Sequence, residues 1–360
     1  MRIVHVLGTR PNFVKMAPLI AAISRRMPEA DQSIVHTGQH YDRMMSEIFF
    51  EQLGVPAPDH MLEVGSGTHA QQTARVMERL EPLLVDDRPD LVVAPGDVNS
   101  TVAAALTAVK LDIPVAHLES GLRSYDRTMP EEINRIVTDQ IADILYVHSE
   151  EALRNLDLEG IPAERAHFVG NTMIDSLVAL KDRFQPLEHC RGLGLEPGTY
   201  LLVTLHRPAL VDGPLLFDAV AALNEVSSVM PVLFPVHPRT RARLAGNAEL
   251  AENIHLVDPA GYLEFLSLES DAGAVLTDSG GIQEETSYLG VPCFTLRDNT
   301  ERPVTIELGT NVLLGLDPAR IAEIPAIIAA QDPSAPPPEP PPLWDGHAAD
   351  RIAELLAGTH

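Results

Sequence analysis

A short segment of this sequence places many ionisable side chains directly after an apolar run. Residues 114–135 read PVAHLESGLRSYDRTMPEEINR, and the charged positions are Glu119, Arg123, Asp126, Arg127, Glu131, Glu132 and Arg135. Carboxylates grouped in this way can act as general acids and bases if the fold brings them to one site. Glu119 is the clearest candidate, because it follows a buried-type run and no helix cap explains it.

Two other carboxylates have structural interpretations that compete with a catalytic one. Glu131 closes the segment TMPE, which fits a helix capping box with Thr128 as the cap. A carboxylate in the first turn would also interact favourably with the helix dipole, by roughly 0.3–1 kcal/mol. Asp97, in PGDVNST, fits a turn residue or a helix cap as well as it fits an acid–base group. Local sequence leaves both interpretations open at Glu131 and Asp97.

Two strand–loop–helix junctions have the composition of anion-binding sites. DSGGIQEE (278–285) joins a glycine pair to the start of a helix, where unpaired N–H groups and the Ser279 hydroxyl can bind a phosphate. GTRP (8–11) has the same context, with Arg10 at the opening of the helix. A plain tight turn is the alternative at either junction. Their occurrence in both halves of the chain favours an anionic ligand.

Parallel β-strands are needed to position these residues. Short apolar runs alternate along the chain with amphipathic segments of helical length, which is typical of parallel sheets covered on both faces. The runs are residues 3–8, 33–38, 91–97, 114–119, 144–149 and 167–171, followed by 200–206, 231–237, 254–259, 273–281, 292–297 and 311–315. This pattern predicts an α/β fold with two Rossmann-like, doubly wound parallel-sheet domains.

The carboxyl ends of the predicted strands carry the chemistry-bearing residues, and the amino ends show no such bias. The residues at the carboxyl ends are Arg10, Asp97, Glu119, His206, His237, Asp278 and Arg297. Open parallel sheets bind ligands at this edge. We therefore expect the two domains to face each other across a ligand-binding cleft.

The predicted domain boundaries follow from the two series of strands. The first domain is expected over residues 1–171 and the second over 172–340. A proline-rich tract, DPSAPPPEPPP (332–342), favours an extended tether. An amphipathic helix in the last segment, 341–360, is expected to cross back onto the first domain.

Composition excludes several classes of function. The formal net charge is −25 and only three lysines occur, at positions 15, 110 and 181. This balance argues against a nucleic-acid-binding surface, which needs clustered positive charge. Cys190 and Cys293 lie far apart and lack metal-ligand spacing, which indicates reduced cysteines. No apolar run is long enough to span a membrane, so the sequence predicts a cytoplasmic protein without a membrane partner.

The motifs along the chain occur in a fixed order. They are GTRPNFVKMAPLI, TGQHYD, GDVNSTVAAALTA, HLESGLRS, PEEINR, GNTMIDSL, VTLHRP, FPVHPRTR, DSGGIQEE and LRDNTERP. In this order they resemble the non-hydrolysing UDP-N-acetylglucosamine 2-epimerases, and the resemblance extends from residue 1 to the C-terminal WDGHAADRI. It implies a GT-B-type architecture, a homodimer, and interconversion of UDP-GlcNAc and UDP-ManNAc without a redox cofactor or catalytic metal.

The implied reaction explains why carboxylates would crowd together. The C2–H of the sugar becomes acidic only as UDP leaves C1, and anti elimination then gives 2-acetamidoglucal and UDP. Returning a proton to the other face of C2, with re-addition of UDP, gives the epimer. This route requires acid–base groups on both faces of the ring, stabilisation of the leaving diphosphate and exclusion of water.

The resemblance assigns expected roles to individual residues. Asp97, Glu119 and Glu131 match the acid–base carboxylates, and His206 matches the histidine that stabilises the leaving diphosphate. Lys15 and Arg135 are expected to supply supporting charge. The expected UDP-binding residues are Arg10, Ser279, Gly280, Gly281 and Arg302 for the phosphates, Phe265 for uracil and Glu285 for the ribose hydroxyls.

The resemblance also implies allosteric activation by UDP-GlcNAc. The matching positions are Gln39, His40, Arg207 and His237. Three departures from the family bear on regulation and on sugar identity. Leu210 stands where a polar residue is more usual, and the loop RSYDRTMPEE is short. The arginine of the family's regulatory site has no clear counterpart in GTHAQQTARVM (67–77). They leave open an epimerase of a diacetamido or otherwise modified UDP-sugar.

Three further alternatives remain at this point. A hydrolysing epimerase would release free ManNAc, and retention of Gln39, His40 and His237 disfavours it. A GT-B glycosyltransferase needs one base and an acceptor pocket, so three carboxylates exceed its requirement. A catalytically silent sensor of nucleotide sugars would bind the same ligand without exchanging the C2 proton.

Overall fold

The chain folds into two compact units, each with its own sheet and core. The computed structural model describes residues 1–38, 50–332, 336 and 338–358. Gln39 and His40, expected at a regulatory site, lie outside these residues. The first unit comprises Met1–Ala179 together with Pro342–His360, and the second comprises Leu180–Pro341.

The first unit is built on a parallel sheet. Its strands within the described residues are β1 (Arg2–Leu7), β2 (Asp31–His36), β3 (His60–Met61), β4 (Leu91–Pro95), β5 (Val115–Ser120), β6 (Ile144–Val147) and β7 (Ala166–Phe168). They pair in parallel in the order β3-β2-β1-β4-β5-β6-β7. The order reverses between β1 and β4, so the switch point of this doubly wound sheet lies there.

The second unit repeats this design. Its described strands are β8 (Leu201–Thr204), β9 (Val232–Pro235), β10 (Ile254–Val257), β11 (Ala274–Thr277), β12 (Cys293–Thr295) and β13 (Asn311–Leu313). They are parallel in the order β10-β9-β8-β11-β12-β13. Here the switch point lies between β8 and β11.

Helices connect successive strands in both units. Those described are α1 (Arg10–Arg26), α2 (His69–Asp87), α3 (Asn99–Lys110), α4 (Pro130–Ile141), α5 (Glu150–Leu158), α6 (Thr172–Phe184), α7 (His189–Gly192), α8 (Pro208–Val211), α9 (Leu215–Ser227), α10 (Pro238–Leu244), α11 (Tyr262–Ser270), α12 (Gly280–Leu289), α13 (Val304–Glu307), α14 (Ile324–Ala329) and α15 (Ala348–Gly358). No helix in this part of the chain is both long enough and apolar enough to cross a membrane.

The predicted fold class, two Rossmann-like parallel sheets, is confirmed. The apolar runs become strands because each sheet buries both faces, so every strand residue can be apolar. In β1, Ile3 and Leu7 pack into the core on one side, and Val4 and Val6 pack into the core on the other. The two-residue strand β3 is not predicted by the sequence, since so short a segment shows no periodicity.

The C-terminal segment completes the first unit. Trp344 is buried, and its indole N–H donates to the backbone oxygen of His148 at 2.9 Å. The carboxylate of Asp175, on α6, accepts the backbone N–H groups of Ala348 and Ala349 at 3.1 and 2.7 Å. These contacts satisfy donors at the start of α15, which packs against α1.

Candidate functional site

The junction GTRP (8–11), between β1 and α1, lies at the switch point of the first sheet. Asn12 fixes the turn between β1 and α1, because its Oδ1 accepts the backbone N–H groups of Gly8 and Thr9, each at 3.0 Å. Its amide donates to the backbone oxygen of Pro95, at the end of β4, at 3.2 Å. Arg10 begins α1 with an exposed side chain that makes no hydrogen bond or ion pair to any described residue. Its guanidinium is therefore available for an anion.

Asp97 follows β4 on a turn made by Gly96 in the left-handed region, with φ of +70°. The Asp97 carboxylate lies 2.7 Å from Nη1 of Arg135, on α4. The backbone oxygen of Asp97 accepts from the Asn134 amide at 2.8 Å. Two consecutive residues of α4, Asn134 and Arg135, therefore hold Asp97.

Glu119 lies near the end of β5 in an unusual backbone conformation. Its φ is +69°, and the register of β5 with β6 shifts between Leu118 and Ser120. The buried carboxylate forms an ion pair with the Lys15 ammonium. A Cβ placed on Gly96 would lie 3.5 Å from Oε2 of Glu119, so the turn before Asp97 passes beside this pair.

The structural interpretation of Glu131 as part of a capping box is wrong. The N-cap of α4 is Met129, which makes no side-chain capping bond. The Thr128 hydroxyl instead donates to Asp126 at 2.6 Å. Within the described chain Glu131 makes no side-chain hydrogen bond or ion pair, and its half-buried carboxylate lies in the first turn of α4. It is thus free to exchange a proton with a ligand.

Sequence reasoning gave no role to Glu132, which organises the loop before α4. Its buried carboxylate accepts the backbone N–H groups of Ser124 and Tyr125 at 2.9 and 2.8 Å. It also lies 2.9 Å from Nη2 of Arg135. Glu132 therefore fixes the guanidinium that in turn pairs with Asp97. The feature of the sequence that could have indicated this role is the adjacent pair Glu131 and Glu132, because neighbouring residues of a helix point in different directions and only one of the two can face inward.

In the second unit, His206 and Arg207 are both held by Asp278 at the β8–β11 switch point. Nδ1 of His206 lies 2.7 Å from the Asp278 carboxylate, and the backbone N–H groups of His206 and Arg207 donate to it at 2.9 and 2.7 Å. Burial alone would raise the pKa of Asp278, but the bond and charge of His206 and the two backbone donors lower it. The net pKa lies below its ordinary value. The sequence alone identifies Asp278 only as a residue at the carboxyl end of a predicted strand.

The start of α12 is the junction for which the sequence predicts phosphate binding. Ser279 is the N-cap, and Gly280 and Gly281 form the first turn. A Cβ on Gly280 would collide with the Arg302 guanidinium. Glycine at this position therefore leaves room for Arg302 beside the start of the helix. Arg302 Nε lies 2.9 Å from Glu284, which fixes the guanidinium. A cation and unpaired helix N–H groups together make a site for an anion.

Glu285 and Phe265 lie on neighbouring helices of the same unit. The Tyr262 hydroxyl, on α11, donates to Glu285 at 2.9 Å. Burial raises the pKa of Glu285, the bond from Tyr262 opposes that rise, and the charge of Glu284 adds to it. Phe265 is half-buried on α11 against the core beneath the sheet, which leaves part of its ring accessible.

The two remaining regulatory candidates lie at different places in the second unit. Arg207 Nε donates to the backbone oxygen of Asp278 at 3.0 Å, beside His206. His237 is exposed at the end of β9 and caps α10, where its Nδ1 accepts the Arg239 N–H at 3.3 Å. Arg207 therefore belongs with the switch-point residues, whereas His237 has a local capping role.

Comparison with known proteins agrees with this arrangement. The model of the family described as UDP-N-acetylglucosamine 2-epimerase matches residues 22–357. UDP-N-acetylglucosamine 2-epimerase of Methanocaldococcus jannaschii is 43% identical over 326 residues, covering 88% of each chain. UDP-2,3-diacetamido-2,3-dideoxy-D-glucuronate 2-epimerase of Pseudomonas aeruginosa is 44% identical over 320 residues, again covering 88% of each chain.

A solved structure extends the likeness to three dimensions. The crystal structure of the M. jannaschii UDP-GlcNAc 2-epimerase in complex with UDP-GlcNAc and UDP is similar with a TM-score of 0.89 and 40% identity. The match covers 99% of this chain and 100% of that one. With the family model spanning nearly the whole sequence, this chain belongs to the UDP-N-acetylglucosamine 2-epimerase family.

Proposed function

We propose that this protein is a non-hydrolysing UDP-GlcNAc 2-epimerase that interconverts UDP-GlcNAc and UDP-ManNAc. The observation that carries the proposal is the arrangement of carboxylates in the first unit. Asp97 is paired with Arg135, Glu119 is paired with Lys15, and Glu131 has no such partner among the described residues. Three carboxylates in separate settings suit a reaction that moves protons on two faces of one carbon.

The proposed reaction begins with elimination. A carboxylate of the first unit takes the C2 proton while the bond from C1 to the diphosphate oxygen breaks and its electron pair leaves with UDP. The products are 2-acetamidoglucal and UDP. Proton delivery to the opposite face of C2, with attack of the UDP oxygen at C1, gives UDP-ManNAc. No atom is gained or lost over the cycle.

The second unit is proposed to bind UDP. Arg302 and the N–H groups at the start of α12 would bind the phosphates, and His206 would stabilise the charge that develops on the departing diphosphate. The pairing of His206 with Asp278 supports this role, because it directs Nδ1 away from a ligand and leaves Nε2 for it. Phe265 and Glu285 would bind uracil and the ribose hydroxyls.

Product analysis tests the proposal. Wild-type protein incubated with UDP-GlcNAc alone should form UDP-ManNAc, and incubation with UDP-ManNAc should reach the same final ratio. Proton and phosphorus NMR distinguish the two nucleotide sugars from free ManNAc and UDP. Release of free ManNAc in step with UDP would identify a hydrolysing epimerase instead. Binding of UDP-GlcNAc without either product would contradict an epimerase of this sugar.

A modified UDP-sugar is the second candidate substrate. The 44% identity to the P. aeruginosa epimerase of a diacetamido uronate supports it as strongly as the relative from M. jannaschii supports UDP-GlcNAc. Steady-state comparison of the two substrates decides between them. A higher kcat/KM for UDP-GlcNAc supports the first proposal, and a clear preference for the diacetamido uronate supports the second.

Assembly, regulation and location complete the proposal. A homodimer, activation by UDP-GlcNAc and a cytoplasmic location are inferred from the family resemblance. Arg207 and His237 are the described residues proposed for activation. Sedimentation velocity tests the dimer. A lag in UDP-ManNAc conversion that vanishes when a trace of UDP-GlcNAc is added would support the activator role, and a linear progress curve without UDP-GlcNAc would contradict it.

A further inference from the structure

Asp139, a buried aspartate on α4, links the residues on either side of Glu119. Asp139 is fully buried, and its Oδ1 lies 2.6 Å from Nδ1 of His117. Its Oδ2 accepts the backbone N–H of Gly121 at 3.1 Å and lies 2.7 Å from Nη1 of Arg123. Glu119 lies midway between His117 and Gly121, so one carboxylate ties together the two ends of the segment that carries it.

This closure matters because Glu119 has a strained backbone. A non-glycine residue at φ of +69° persists only where its surroundings hold it. The register shift between Leu118 and Ser120 marks the same distortion in the sheet. Relaxation of Glu119 to extended backbone would lengthen the segment and move residues 117 and 121 apart. Asp139 opposes that relaxation by holding both.

The other nitrogen of the His117 ring contacts the backbone directly before Asp97. His117 Nε2 lies 2.7 Å from the backbone oxygen of Gly96, the residue directly before Asp97. A backbone oxygen can only accept, so Nε2 carries a proton. The Arg123 guanidinium and the Gly121 N–H both donate to Oδ2 of Asp139, and Oδ1 faces Nδ1 of His117. The His117 ring thus bridges Asp139 and the backbone oxygen of Gly96.

A second ion pair holds the Arg123 guanidinium in place beside Asp139. Arg123 donates to both carboxylate oxygens of Glu159, from Nε at 2.7 Å and from Nη2 at 2.6 Å. Burial alone would raise the pKa of Asp139, but the charges and bonds of His117 and Arg123 lower it below its ordinary value. Asp139 therefore has both a cationic partner and a backbone donor, as a buried carboxylate requires.

We propose that His117 and Asp139 form a positioning pair that sets Glu119 and the turn before Asp97 in one fixed geometry. The proposal rests on the proposed function of Glu119 and Asp97 as acid–base groups. Neither His117 nor Asp139 contacts the substrate in this scheme. Both act through the backbone that presents the two carboxylates.

A double-mutant cycle with Asp139→Asn and Glu119→Gln tests this role. The asparagine amide replaces one of the two carboxylate oxygens by an NH2 group, so Asp139→Asn should lower kcat about 10- to 100-fold, the loss typical when an outer partner that orients a histidine ligand is altered. KM and UDP affinity should change less than threefold. If Asp139 acts through Glu119 and Asp97, adding Asp139→Asn to Glu119→Gln should cost less than adding it to wild type, because only the part that acts through Asp97 remains. If the kcat losses of the two single variants multiply in the double variant, Asp139 has a general structural role and the proposal is overturned.

Asp175→Asn is the matched control, because it removes the charge of another buried aspartate in the same unit. It should leave kcat within twofold of wild type, and the melting temperature of each variant separates loss of fold from loss of rate. If wild-type protein shows no C2 exchange on any UDP-sugar, the proposed function itself fails. If wild type exchanges and Asp139→Asn does so at the wild-type rate, only the positioning pair is refuted.

Two substitutions of His117 keep the proposal testable if Asp139→Asn does not fold. The amide of Gln can reach the position of Nε2 and donate to Gly96, whereas the amide of Asn reaches only the position of Nδ1. His117→Gln should therefore retain at least five times the kcat of His117→Asn. Equal activity, or the reverse order, would contradict the link from His117 through Gly96 to Asp97.

Discussion

The carboxylate of Asp278 lies 2.7 Å from Nδ1 of His206, directly after the two strands that flank the switch point of the second sheet. The same carboxylate accepts the backbone N–H groups of His206 and Arg207. These bonds place the Nδ1 proton toward Asp278 and fix the plane of a ring that is otherwise 62% exposed. An exposed imidazole would otherwise sample several rotamers, so Asp278 prepares Nε2 to meet a ligand.

Asp278→Asn should therefore lower kcat about 10- to 100-fold, as expected when a group that orients a catalytic histidine is altered. The asparagine oxygen can still accept the two backbone N–H groups, but the NH2 group would face Nδ1 of His206 and cannot accept a hydrogen bond from it. Steady-state rates with UDP-GlcNAc measure the effect. Asp317→Asn, which alters a helix-capping aspartate of the same unit, should remain at the wild-type rate. Full activity of Asp278→Asn would remove the orienting role.

Each carboxylate of the first unit should be separately required. Asp97→Asn, Glu119→Gln and Glu131→Gln should each lower turnover by about 10²–10⁴, the usual scale for acid–base groups. Affinity for UDP, measured by calorimetry, should be preserved because none of the three carboxylates is among the proposed UDP-binding residues. Near-normal turnover of Glu131→Gln would leave that residue only its favourable position at the start of α4.

Gly280→Ala should weaken UDP binding about tenfold or more with little change in thermal stability. The added Cβ would displace the Arg302 guanidinium from the start of α12, where the phosphates are proposed to bind. Gly192→Ala is the control, since a Cβ there meets no neighbouring atom within 4 Å. Calorimetry with UDP measures both variants. Equal affinities would argue against phosphate binding at this helix end.

The buried carboxyl group of Asp175 should make the unfolding free energy depend on pH. Burial raises the pKa of this carboxyl from 3.8 to about 6, opposed by the two backbone donors of α15. Between those values the folded state binds a proton that the unfolded state does not, so stability falls as pH rises. Relative to Asp175→Asn, wild type should lose about 2 kcal/mol of unfolding free energy between pH 4 and pH 7. Denaturant titrations at several pH values measure this difference, and parallel curves would contradict it.

The fold could be predicted from sequence because the relevant signals are local. Continuous apolar strands such as 91–97 followed by glycine, charge and a helix identify a parallel sheet and the edge at which its ligands bind. Asp97 and Glu119 were placed correctly at that edge by this rule alone. The short strand β3 was missed because its two residues, His60 and Met61, gain their pairing from β2 rather than from any pattern of their own.

The hydrogen-bond partners could not be predicted, since they join residues far apart in sequence. Thr128 has the spacing of a helix cap, but Asp126 competes successfully for its hydroxyl. Asp139 reads as an ordinary polar residue of an amphipathic helix, and only the packing of α4 on β5 brings it to His117. The strained backbone of Glu119 has no sequence signal either, because nothing but tertiary contacts maintains it.

Exchange of the C2 hydrogen with solvent is the most direct test of the account. Wild-type protein should be incubated with UDP-GlcNAc in D₂O, and both nucleotide sugars analysed by mass spectrometry and proton NMR. The elimination mechanism predicts one deuterium at C2 in UDP-ManNAc and its gradual appearance in UDP-GlcNAc, both slowed by about 10²–10⁴ in Glu119→Gln. UDP-ManNAc formed with no deuterium at C2, or deuterium uptake unaffected by loss of Glu119, would contradict it.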